Sequence, residues 1–179
     1  MVIKIDLTQG KQAIIDDVDK DLMKYRWSAH MAETNLWYAY CASYNRSDKH
    51  TTGHKMHRHI LGRMIGRSLL GTEMTDHING DGLDNRRANL RVATRTQNSA
   101  NRNKFRTSRN GATPSSKYKG VSWHMWKGCG RWVAQIRVDR KLMHLGYFLN
   151  EIDAAKAYDA AALKHFKEFA NINFDKEVQ

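Results

Sequence analysis

Proline occurs once and cysteine twice in this chain of 179 residues, and no long apolar run interrupts it. Cys41 and Cys129 stand far apart without a CxxC pair, which excludes a disulfide framework and a zinc ribbon and reads as a reduced, intracellular chain. No stretch approaches the ~18 apolar residues needed to cross a bilayer, so no membrane partner is expected. The start, MVIKIDLTQGKQAIID, alternates too much for a signal peptide, so the expected location is cytoplasmic, at the partner. Acidic residues are also scarce: 18 Asp and Glu stand against 30 Lys and Arg, a formal charge of +12. Such an excess argues for a polyanion, and nucleic acid is the obvious one. The length allows one or two small domains, each near the lower limit for an independent core.

The positive charge is concentrated rather than spread. Residues 1–53 hold seven basic and seven acidic side chains, whereas residues 54–109 hold twelve basic and four acidic. Between Arg86 and Arg109 there are eight basic residues and no acidic one. A solvated face or a disordered arm is the ordinary reading of such a run. Its overlap with the motif described next favours nucleic-acid contact, through Arg86, Arg87, Arg91 and Arg95.

Residues 76–98 read DHINGDGLDNRRANLRVATRTQN. His77 follows Asp76, Asn89 lies twelve residues beyond the His, and Asn98 nine further on. A neutral imidazole at His77 takes a proton from water, while Asp76 and Asn98 offer the hard oxygen donors that Mg²⁺ prefers. The pattern predicts a strand over 72–78, a loop rich in turn residues, and a second strand over 89–93. Thr94 and Gln97 form a capping box, which starts a helix with Asn98 near its first turn.

The flanking sequence sets this hairpin in context. Residues 2–7 and 11–15 predict a hairpin turned at Gln9-Gly10, residues 16–25 a short helix, and residues 36–44 a further strand. Trp27, Trp37, Tyr38 and Tyr40 read as core rather than as base-stacking platforms. Residues 56–70 predict a basic amphipathic helix with Ile60, Leu61, Met64 and Ile65 on one face. Gly62 and Gly66 each weaken it by roughly 1 kcal/mol relative to Ala. His57 and His59 read first as structural, with ligand or DNA contact as the alternative.

The Asp-His opening, the central Asn and the terminal Asn resemble an HNH endonuclease of the ββα-metal fold, in the variant whose last His is replaced by Asn. The resemblance implies His77 as general base, Asp76 and Asn98 as ligands of one Mg²⁺ or Mn²⁺, and Asn89 as the brace that orients His77. Asp81 and Asp84 are not obvious ligands.

A second signal follows the loop NKFRTSRNGATPSSK, which contains Pro114. Residues 118–138, YKGVSWHMWKGCGRWVAQIRV, predict two strands, residues 141–148 a third, and Asn150 caps a helix over 151–168. In the second strand Trp132, Ala134, Ile136 and Val138 share one face, and Arg131, Gln135 and Arg137 share the other with Val133. Ile152, Ala155, Ala162, Phe166 and Phe169 form the helix stripe. YKGV at 118, Trp126, RWVAQIRV from 131 and LGYFLNEIDAAKAYDAAALKHFKEFANINF from 145 resemble the Apetala-two or ethylene-response-factor DNA-binding domain. That resemblance implies a sheet laid in the major groove, with contacts from Lys119, Trp126, Arg131, Gln135, Arg137 and His144.

The expected fold is α+β: a small β-rich module over residues 1–53, a ββα-metal nuclease core over 54–105, a basic linker over 106–117, and a three-stranded antiparallel sheet packed on one helix over 118–174. The order of the two resemblances is similar to that of phage and intron-associated homing endonucleases. It implies a DNA-cutting enzyme that acts on double-stranded DNA, expected as a monomer with no obligate protein partner. A DNA-binding regulator with a dormant hairpin is the alternative, and an RNA-binding sheet is the third reading.

Overall fold

The computed structural model describes residues 1–32, 36–45, 50–103, 113–126 and 128–174. Most of the expected linker lies outside them. The fold is α+β, as the hydropathy pattern predicts. It divides into two compact units, Met1–Arg95 and Thr96–Gln179.

The first unit begins with the antiparallel hairpin of β1 (Val2–Asp6) and β2 (Gln12–Asp16). Its turn carries positive φ at both Gln9 and Gly10, so the tight reversal is made by these two residues together. The helix expected over 16–25 is a 3₁₀ helix, Asp17–Lys24, broken at Asp19. The reason is electrostatic: fully buried Asp19 turns inward to meet Arg63 at 3.3 Å and Arg87 at 2.8 Å.

A three-stranded sheet follows, ordered β3 (Ser28–Met31), β4 (Trp37–Asn45), β5 (His50–Lys55). Helix α1 (Met56–Ile65) leaves it directly. α1 buries Met56, His57, Ile60 and Leu61, while Met64, expected on the same face, is exposed. Gly66 lies just past the helix in the left-handed conformation; its N–H reaches the Arg63 carbonyl and the Arg67 N–H reaches that of Gly62. It therefore ends the helix instead of weakening it, because only glycine adopts that conformation without steric cost. A second hairpin, β6 (Glu73–His77) with β7 (Leu90–Thr94), completes the unit.

One hydrophobic core joins these parts. Ile5, Ala13, Ile15, Leu22, Trp27 and Ala39 from residues 1–53 pack with Met56, Ile60, Leu61 and Leu90. The boundary expected at 53 is thus crossed by shared packing, and the compact division falls at Arg95 instead.

The second unit begins within α2 (Arg95–Ala100) and holds an antiparallel sheet ordered β10 (Lys141–Phe148), β9 (Cys129–Val138), β8 (Val121–Trp126). Helix α3 (Glu151–Phe166) packs on it, with the Asn150 side chain accepting from the Ile152 N–H at 2.8 Å. Ala154, Ala155 and Ala162 are buried, which lets helix and sheet approach closely. Ile152, expected in that stripe, is exposed. Asp159 accepts from the backbone N–H groups of Asn173 and Phe174, and Asn173 in turn bonds the backbone of Lys119.

Candidate functional site

Pairing between β6 and β7 sets Asp76 opposite Arg91 and His77 opposite Leu90. Both Asp76 and His77 are buried. Beyond His77 the chain enters a loop whose polar groups are tied to one another. The Asn79 N–H donates to Asn89 Oδ1 at 3.0 Å, and Asn89 Nδ2 donates to Asn79 Oδ1 at 3.0 Å and to the Asp84 carbonyl at 2.7 Å. Asn79 Nδ2 donates to Asp84 Oδ2 at 2.9 Å. Asn89 therefore links the two ends of the loop, as a residue with both a donor and an acceptor must to replace strand pairing there.

The N-terminal hairpin takes part in this arrangement. The Ile14 N–H donates to the Leu83 carbonyl at 2.9 Å and the Asn85 N–H to the Ile14 carbonyl at 2.7 Å, a short parallel bridge between β2 and the loop. It fixes Asn85, whose Oδ1 lies 3.4 Å from His77 Nε2. Asn85 is fully buried, and sequence reasoning missed it. The DNRR run around it matches no spacing rule.

Three rings meet at the hairpin. His57 of α1 stands edge-on to His77, with ring centroids 5.2 Å apart, and Tyr38 of β4 lies 5.1 Å from His57 and 5.9 Å from His77. Among the described residues, buried His57 Nδ1 has no hydrogen-bond partner. Burial lowers the His57 pKa well below its ordinary value, helped by the charges of His77, Lys55 and Arg58. Burial also lowers that of His77, although Asn85 and the carboxylates of Asp76, Asp81 and Asp84 oppose it. Both shifts favour the neutral imidazole at neutral pH. The signal for His57 was its spacing to Ile60 and Leu61, which turns position 57 inward.

Three of the four expected DNA-contacting arginines of this unit have intramolecular partners. Arg91 Nε donates to Asp76 Oδ2 at 2.7 Å, Arg86 forks onto Asp84 at 2.8 and 2.7 Å, and Arg87 binds Asp19. The Arg86 guanidinium, through that fork, holds the Asp84 carboxyl below the usual range. Arg95 is exposed at the start of α2. Asn98 lies on α2 within the second unit. Among the described residues no group of three or more His, Cys, Asp and Glu side chains forms a metal cage.

On the second unit's sheet, cross-strand pairing collects several predicted residues on one face. Arg131 pairs with His124, Gln135 with His144, and Arg137 with Leu142. A bulge between His144 and Gly146 also turns Tyr147 to this side, opposite Val133. The His144 and Tyr147 rings lie 4.5 Å apart, and Arg131, Arg137, His144 and Tyr147 are exposed. Val133, on the central strand, is buried between its cross-strand partners Ser122 and Tyr147. Lys119 stands apart from this group. Its Nζ donates to the Ala100 carbonyl, and burial lowers its pKa to about 8 against the pull of Asp159. The Trp126 side chain lies outside the described ones.

Residues 54–100 match the family model for HNH endonuclease. A 66-residue stretch, 36% of the chain, is 41% identical to APETALA2-like protein 2 of Oryza sativa, in both subspecies indica and japonica. Over 66 residues, 37% of the chain, it is 44% identical to the AP2/ERF and B3 domain-containing transcription factor RAV1 of Arabidopsis thaliana. The matches span 14% of the rice proteins and 18% of the Arabidopsis one. The chain thus combines an HNH-type segment with an AP2-type segment.

Proposed function

We propose that the chain is a metal-dependent DNA endonuclease of the homing type, in which His77 is the general base and the sheet of the second unit holds double-stranded DNA. One observation carries this reading: within the HNH match, a buried neutral imidazole stands beside a buried carboxylate on a braced hairpin. A base must be unprotonated to work, and burial keeps His77 so.

Each side chain has a distinct task. Asn85, at His77 Nε2, orients the ring that takes a proton from the attacking water. Asn89 keeps the loop from opening as the backbone of the substrate enters. Asp76 and Asn98 would hold Mg²⁺ or Mn²⁺. Their donor chemistry fits, since Mg²⁺ is usually bound through one or two carboxylates with substrate phosphate and water, not in an all-protein cage. When bound, the ion neutralises charge developing on the phosphate and the departing oxygen, which is worth several kcal/mol.

The Asp76–Arg91 ion pair favours the second reading, a DNA-binding regulator whose hairpin is dormant. Cleavage of a duplex with Mg²⁺ and with EDTA, for wild type and His77→Ala, decides between them. The nuclease reading expects cutting by wild type in Mg²⁺ alone, with DNA binding retained by the variant. Binding without cutting in any condition leaves the regulator.

A further inference from the structure

Helix α1 turns Met56, His57, Ile60 and Leu61 toward the core, and its opposite side opens on a groove of about 730 Å³. The groove is lined by Lys55, Arg58, His59, Gly62, Arg63 and Arg67, among others. Two of these cations have partners: Arg63 binds Asp21 at 2.7 Å and Arg67 binds Glu73 at 2.7 Å. Lys55 and Arg58 are exposed, and among the described residues no carboxylate pairs with either.

The local sequence increases this charge where most helices offset it. α1 has no acidic residue in its first turn and no side-chain cap, so Lys55 and Arg58 sit at the positive end of its dipole. Arg63 further disfavours a proton on His59, after burial. Gly62 lies inside the helix, where glycine costs about 1 kcal/mol relative to alanine. Its effect here is an open floor: a Cβ would meet the Arg67 carbonyl at 3.3 Å. Uncompensated cations around an open groove match a polyanion of regular spacing.

We propose that this groove seats the phosphate backbone of duplex DNA through Lys55 and Arg58, as a contact in addition to the sheet of the second unit. The choice of DNA as the polyanion rests on the function proposed above. Arg58 follows His57 directly on α1 and Lys55 is the N-cap residue of the same turn, so a strand held there is tied through His57, whose ring meets His77, to the cutting hairpin.

The test uses the full chain and a random-sequence duplex in EDTA, with affinity measured across salt concentrations. Lys55→Gln with Arg58→Gln should lower the slope of log K against log salt by about 1.8, at about 0.9 per phosphate contact. The weakening should be uniform across DNA sequences. Lys4→Gln with Lys24→Gln, which removes equal charge outside the groove, should leave the slope nearly unchanged. An unaltered slope in the groove variant, or an equal loss in the control, overturns the proposal. Because this is a binding measurement, a wrong nuclease reading would appear separately, as no cutting by the parent chain.

Discussion

His57 and His77 meet edge-on and both are buried, and this has a measurable consequence at low pH. In the unfolded chain each imidazole takes up a proton near pH 6.5. In the folded chain burial delays that uptake to lower pH. The unfolded state then binds more protons below about pH 6.5, so stability falls as the pH drops, by at most about 1.4 kcal/mol per pH unit and group. Thermal melting of the full chain should show a lower midpoint at pH 5.5 than at pH 7.5, and His57→Gln should reduce the difference. Equal midpoints for wild type would refute the buried neutral pair. The same scale shows where sequence reading stopped. Asp76, His77 and Asn89 stood out by spacing, whereas Asn85 became visible only when β2 fixed the loop that carries it.

Among the elements, the loop between β6 and β7 depends on its approach to β4. Gly82 passes so close to Trp37 and Tyr38 that a Cβ there would collide with the Trp37 carbonyl and the Tyr38 ring. Backbone cannot yield as a flexible side chain does, so Gly82→Ala should destabilise the first unit by about 1–3 kcal/mol. A denaturant titration measures this, and cutting should fall with it because the displaced loop carries Asn85. A variant as stable as wild type would show that the loop relaxes freely. The strands and helices around this loop were legible from alternation and helical spacing. The 3₁₀ form of Asp17–Lys24 was not, because it follows from Asp19 meeting Arg63 and Arg87, which are 44 and 68 residues away in sequence.

For the molecule as a whole, the expected DNA contacts separate into two kinds. Arg86, Arg87 and Arg91 are held by Asp84, Asp19 and Asp76, and Lys119 turns to Ala100, whereas Arg131 and Arg137 project from the sheet. Arg131→Gln with Arg137→Gln should therefore lower the salt slope of DNA binding by about 1.8 and leave cutting at saturating DNA near wild type. If the slope is unaffected, this face does not bind the backbone. Charge asymmetry was legible from composition, and the DHINGDGLDN run and the YKGV and RWVAQIRV stretches were enough for a resemblance to two kinds of module, because a resemblance rests on short contiguous runs of residues. Which cations are available to a partner, how residues 1–53 share a core with the hairpin, and which side chain holds His77 were decided by tertiary structure alone. Each depends on groups that are distant in sequence and meet only when the core forms.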